Sequence, residues 1–249
     1  GQVAAISTKA VTGLTATQVG ALSTDQVGAL TTGQVAALND KLLGALGRAG
    51  SDAIPLIAEV ARSAAPAAER AEAVRALGRL GAGGRRALGR IVVELGAGAD
   101  VAKLTAVDPE QAILPLAIAT LGPSDDAAVR EALTRLAQLT APDPSTPANL
   151  RRLARLRCAA AAALAGANGE LPQLARCDPT SGPIGERARL EVLDRGALSG
   201  AQLTAFRALL AANHARTRAQ ALGLLASHHE IGDASALLLQ ALGANEPGV

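Results

Sequence analysis

From Leu14 to Leu38 the chain states nearly the same eight residues three times, as "LTATQVGA", "LSTDQVGA" and "LTTGQVAA". A tandem phrase this short is the strongest constraint in the sequence, because every copy must fold alike and reach a core of its own. The positions that persist are those that start a helix. Thr15, Ser23 and Thr31 are N-cap residues, and Gln18, Gln26 and Gln34 follow at the third helical position, the spacing of a capping box. Leu14, Leu22 and Leu30 precede the caps, while Val19, Val27 and Val35 fall at the fourth helical position, the pairing of a hydrophobic staple. "ISTKAVTG" from Ile6 is a degenerate fourth copy, with Ala10 where Gln would stand.

A single long helix does not fit this pattern. Eight residues advance it by about 80° around the helix, so the Leu and Val positions would drift over the whole circumference. A parallel β-solenoid keeps them on one face, because eight is even; against it stand the Gln and Ala content and the repeated caps. Residues 1–38 are therefore expected to form a stack of short capped helices, with β-coils as the alternative. The phrase is similar to octad tracts of large bacterial surface and secreted proteins, a resemblance that implies an extended structural element rather than a catalytic one.

From Asn39 the period lengthens. "NDKLLGALGRAG", "SDAIPLIAEVARSAAP", "AAERAEAVRALGRLG", "GRRALGRIVVELG", "DPEQAILPLAIATLG" and "DDAAVREALTRLAQL" carry Leu, Val or Ile at helical spacing, separated by Gly, Pro or Asp. The longest run, Ala148 to Ala165, follows the Pro-rich "TAPDPSTP", and "ELPQLARC", "IGERARLEVLD", "SGAQLTAFRALLAANH", "ARTRAQALGLLA" and "DASALLLQALG" complete the series. The 249 residues are 49% hydrophobic, yet they include no Trp, Tyr or Met and a single aromatic, Phe206. Leu, Val, Ile and Ala must fill the core, and Ala and Leu lead the helix-propensity ranking. The fold class expected is all-α: antiparallel helix pairs in a right-handed α-solenoid over 39–249, with a subdivision near 141–147.

This part of the chain resembles the HEAT-repeat family. The family's first-helix phrase is matched by Ala73, Val74, Arg75, Leu77, Leu80 and Gly81, and by Ala128, Val129, Arg130, Leu133 and Leu136; "ARTRAQALGLLA" is a third version with Thr217 in place of Val. The second-helix phrase is echoed by Ala53, Ile54, Pro55 and Ile57, and by Ala112, Ile113, Pro115 and Leu116. Arg75 and Arg130 lie 55 residues apart, longer than one usual unit of the family, which leaves the repeat register open.

Twenty-four basic and 22 acidic residues leave a formal net charge of +2, so no global field draws the chain to nucleic acid or anionic lipid. No apolar run approaches the roughly 18 residues of a membrane span. Gly1 opens without Met and "ANEPGV" stops at a Pro-Gly turn, so both ends are expected to continue into a larger protein or assembly.

Candidate chemistry is sparse. His228, His229 and Glu230 in "SHHEIGD" are adjacent rather than four apart, so their side chains do not converge on a metal; a solvated helix end is the reading, with His214 as the remaining imidazole. Gly81, Gly83 and Gly84, with Arg85 and Arg86, lack the strand and the Lys-Ser/Thr of a phosphate loop and read as an inter-helix turn. Arg151, Arg152, Arg155 and Arg157 form a basic stripe without aromatics for base stacking. With Leu150, Leu153 and Leu156 as the buried face they lie on the solvated side, where Arg151, Arg152 and Arg155 are candidate partner contacts. Cys158 and Cys177 stand nearly equally far from Asn168, the turn of a helical hairpin in "GANGELP", which sets them opposite each other as a candidate disulfide or as two buried thiols. No catalytic residue, cofactor or metal is assigned.

The function expected is a non-enzymatic protein-interaction scaffold within a larger bacterial envelope or periplasmic assembly, or a cytoplasmic one if the cysteines are reduced. The alternatives are a mechanical spacer, or the targeting part of an enzyme. A HEAT-like chromophore lyase would need an apolar pigment pocket that is hard to line without aromatics.

Overall fold

The computed structural model describes residues 6–38, 45–46, 53–99, 109–140, 146–165, 177, 182–195, 198, 200–225 and 228. Every regular element among them is a helix, with no strand. The octads form α1 (Thr8–Val11), α2 (Ala16–Gly20), α3 (Thr24–Gly28) and α4 (Thr32–Ala36). The β-coil alternative is thereby overturned, and the caps explain why. The Gln18 N–H donates to Thr15 Oγ1 at 3.2 Å while the Thr15 N–H donates to Gln18 Oε1 at 2.8 Å. Ser23 with Gln26, and Thr31 with Gln34, close the same reciprocal box. Where Ala10 replaces Gln, only half of it survives: Ser7 accepts from the Ala10 N–H.

Helices of four or five residues do not persist alone in water. These are held by Val11, Val19, Val27 and Val35, all buried, with Leu30 and Leu38 beside them. The fourth copy also returns to the first. α4 packs on α1, and Gln34, 2% exposed, donates from Nε2 to the Ile6 carbonyl at 2.6 Å. Gln18 and Gln26, at the same position of their copies, are exposed.

The longer helices are α5 (Ala53–Arg62), α6 (Ala67–Arg79), α7 (Gly81–Ala97), α8 (Pro109–Leu121), α9 (Ala127–Ala137), α10 (Pro147–Leu164), α11 (Pro183–Leu193), α12 (Ala201–Leu210) and α13 (Ala215–Leu225). α5 packs on α6 and α7, α6 on α7 and α8, α7 on α8 and α9, and both α8 and α9 on α10. α10 meets α11, which packs on α12 and α13. α4 lies against α5 and α6, so one apolar core runs from Val11 to Leu164 without a break at the end of the octads. Phe206 centres a second cluster formed by α11 to α13.

α7 begins at Gly81, so Gly83 and Gly84 lie within its first turn and not in a preceding loop. Gly81 takes φ +60°, which reverses the chain immediately after α6. Gly84 is buried against the Leu77 backbone, where a Cβ would collide with the Leu77 carbonyl. Arg85 donates to the Pro123 carbonyl at 2.9 Å and ties α7 to the turn before α9. Gly83 and Gly84 serve close packing, while Gly81 supplies the turn that the sequence pointed to.

The octad contacts predict a contrast between chemically identical substitutions. Gln→Glu keeps the acceptor oxygen that closes each capping box but replaces the amide donor. Gln34→Glu should lose at least about 2 kcal/mol, because it sets a buried carboxylate against the Ile6 carbonyl. Gln18→Glu should stay within about 0.5 kcal/mol of the parent, as an exposed change does. Urea unfolding followed by circular dichroism measures both.

Candidate functional site

Three places in the helical part bring polar chemistry together: the start of α10, its junction with α11, and the cleft between α11, α12 and α13. α10 starts cleanly, with Thr146 Oγ1 accepting from the Asn149 N–H and Pro147 in the first turn, where its missing N–H costs nothing. Leu153 and Leu156 are buried as the spacing predicts, but Leu150 is 48% exposed. Burial along α10 begins one turn later than the apolar stripe does. Arg151 and Arg155, one turn apart, are exposed, and neither makes an ion pair among the described residues; Arg152 and Arg157 are half-buried. The first turns of α10 thus expose an apolar side chain as well as the solvated basic residues that the sequence pointed to.

At the other end of α10 the structure joins Cys158 to Cys177 in a disulfide, with Cα atoms 4.8 Å apart. Both residues are buried among Ala161, Ala162, Ala165, Ala188 and Val192, small side chains that let α10 and α11 come close. Arg195 reinforces the junction by donating to the Ala162 carbonyl in the last turn of α10 while pairing with Glu191 at 2.9 Å. Asn168 and its expected turn lie outside the described residues.

The third cluster was not legible in the sequence. Glu186 on α11 accepts from His214 Nδ1 at 3.0 Å and from the hydroxyl of Thr217, which is buried on α13. Thr217 stands where the sequence phrase led one to expect Val, and its hydroxyl makes this bond. Burial pushes the Glu186 carboxyl up, but donation by Thr217 and His214, with the charges of His214 and Arg189, outweighs it and holds the group below the usual carboxylate range. A cavity of about 350 Å³ opens beside it, lined by Glu186, Arg189, Leu209, Ala212 and Asn213 among others.

The hydroxyl and the imidazole both donate to the same carboxylate. A nucleophile relay instead needs the imidazole between hydroxyl and acid. The arrangement therefore clasps α11 to the start of α13 and does not activate Thr217. His228 is buried, contrary to the expected solvated helix end; the polarity of the surrounding segment did not set the exposure of that one ring. His229 and Glu230 lie outside the described residues. Among the described residues, no three His, Cys, Asp or Glu side chains gather as a metal site would require.

Two measurements check these junctions. A Cys158→Ala/Cys177→Ala variant should lose roughly 3 kcal/mol by the loop-entropy relation for a bridge spanning 19 residues, read as a lower urea midpoint that reductant no longer shifts. Because the folded pKa of Glu186 is depressed, its stabilisation is present above the unfolded value near pH 4 and is lost as pH falls through the folded value. Between neutrality and about pH 3, Glu186→Gln should flatten the fall in unfolding free energy relative to the parent.

A family model described as the ALTTAQ repeat matches residues 1–32. The octad tract is thus similar to a known repeat, and no HEAT-repeat family is found in the helices that follow. No curated protein and no solved structure matches the chain.

Proposed function

We propose that this chain is a non-catalytic scaffold, a HEAT-like right-handed α-solenoid that presents an extended surface to a partner protein. In support, among the described helices from α5 onward the principal contacts join ones that are one or two places apart in order, as neighbour packing in a solenoid does. Such packing leaves long faces uncovered, and partner recognition is what solenoids use them for. The HEAT phrase supports the same reading at α6 and α9, where Val74 and Val129 are buried while Arg75 and Arg130 are exposed. Among the described residues, α7 and α8 lie between these two helices.

The observation that carries the reading is the start of α10. Leu150 is the exposed large apolar side chain among the described residues, on the same first turns of α10 as the exposed Arg151 and Arg155. Arg is enriched among the residues that dominate binding energy, and an apolar neighbour supplies area to desolvate. A partner offering carboxylates around an apolar side chain suits this patch. The buried disulfide supports an oxidising compartment, and the octad resemblance supports a place in a bacterial envelope or surface assembly.

The test is a binding experiment with a partner captured from native extract and then purified. Arg151→Glu/Arg155→Glu should weaken its Kd at least tenfold while leaving the thermal midpoint unchanged. An unchanged Kd would remove the patch from the interface, and substrate turnover by the isolated chain would overturn the non-catalytic reading.

A further inference from the structure

We propose that the cavity between α11 and the end of α12 is a binding site for a small molecule that carries a carboxylate on a short aliphatic stem, with Arg189 as its anchor. Its lining comes from α11, α12 and the turn after α12, so it is independent of the α10 residues.

The polar groups around the cavity are unequally occupied. Its acceptors are taken. Both Glu186 oxygens have donors, from His214 Nδ1 and the Thr217 hydroxyl. The carbonyls of Ala212 and Asn213, two further lining residues, accept from Arg218 at 2.7 and 3.1 Å. Arg189 differs from these. It stands three residues after Glu186, one turn along α11, is half-buried, and makes no hydrogen bond or ion pair among the described residues. With Glu186 held by Thr217 and His214, the guanidinium acts on that carboxylate only through space. A guanidinium presents its N–H groups as a planar fork, and a carboxylate accepts two of them in parallel. A cavity whose acceptors are occupied and whose cation is not selects an anion.

The rest of the wall decides which anion. Ala205, Ala208 and Leu209 of α12 line the cavity, and the two alanines end at a methyl group, which leaves open the space that longer side chains would fill. Whatever enters beside the carboxylate therefore meets hydrocarbon. A free phosphate or sulfate would use the guanidinium and leave that surface wet, and an organic cation would meet the charge of Arg189. The volume of about 350 Å³ lies near the lower end of small-molecule sites. That is room for a short aliphatic acid, whole, and not for a nucleotide.

Titration of the full chain with sodium butanoate tests this, followed by two-dimensional NMR at the Arg189 side-chain N–H and the Ala205 and Ala208 backbone amides. Saturable shifts are expected at all three. Acetate should bind at least about fivefold more weakly, because it lacks two methylene groups to bury, and butylammonium should not bind. Arg189→Gln should lose the saturable shifts of the alanine amides at concentrations that saturate the parent. Ala208→Leu should lose them as well with Arg189 still present, since Ala208 is exposed and a longer side chain there occupies the cavity without entering the core. That second variant decides the matter if Arg189→Gln lowers the thermal midpoint. The proposal is overturned if butanoate gives no saturable shift, if acetate binds equally well and the cavity holds an adventitious ion only, or if either folded variant still binds. Tighter binding of N-acetylglutamate α-amide than of butanoate would assign the cavity to an acidic side chain of a partner protein and overturn the small-molecule reading.

Discussion

Close backbone approach is the constraint on which the helical part depends. With Phe206 as its single aromatic, the chain cannot fill wide gaps between helices, and its elements must come near enough for Ala, Val and Leu to close the space. The glycines show how near. Gly84 lies against the Leu77 carbonyl with no room for a methyl group, and a Cβ at Gly89 would stand 3.1 Å from Val129 Cγ2. Along α10, Ala160 to Ala163 are all buried. A core of this kind gains its stability from many small contacts rather than a few large ones, so helix register is set by which small residue meets which.

The octads meet the same constraint with less material. A helix of five residues leaves most of its backbone N–H and C=O groups without intrahelical partners. The capping box answers two of the donors at each start, and one buried Val fastens each turn to the core. Nothing in a copy is long enough to define a direction by itself. Direction comes from the join between copies, and the Gln34 bond to Ile6 shows that the chain closes on itself after three of them.

What was legible in the sequence is what depends on neighbours within one turn. The capping boxes, the Val positions and most helix boundaries were read from local spacing, because caps and staples are local interactions. Leu150 was misread for a related reason: helical periodicity identifies a stripe but not where along the helix a partner begins to cover it, and on α10 that coverage starts at Leu153. The Glu186, His214 and Thr217 clasp joins residues 28 and 31 positions apart, through an acid, an imidazole and a hydroxyl that each look like surface residues in their own segments. A Thr at a Val position of a repeat phrase was the one signal available, and it acquires meaning only once α11 is known to lie beside α13.

These features separate the parts of the molecule that hold it together from those left to act. Glu186 spends its ionised oxygens on two donors, Arg195 and Arg85 on carbonyls at helix ends and turns, and Cys158 on Cys177. Polar groups committed in this way hold helices to one another. Arg151 and Arg155 are exposed on the first turns of α10, and the Gln18 and Gln26 side chains are exposed on the octads. Both sets are on open surfaces and offer donors without a paired acid or nucleophile. Under the proposed scaffold role, exposed donors of this kind would meet another chain's carboxylates or carbonyls.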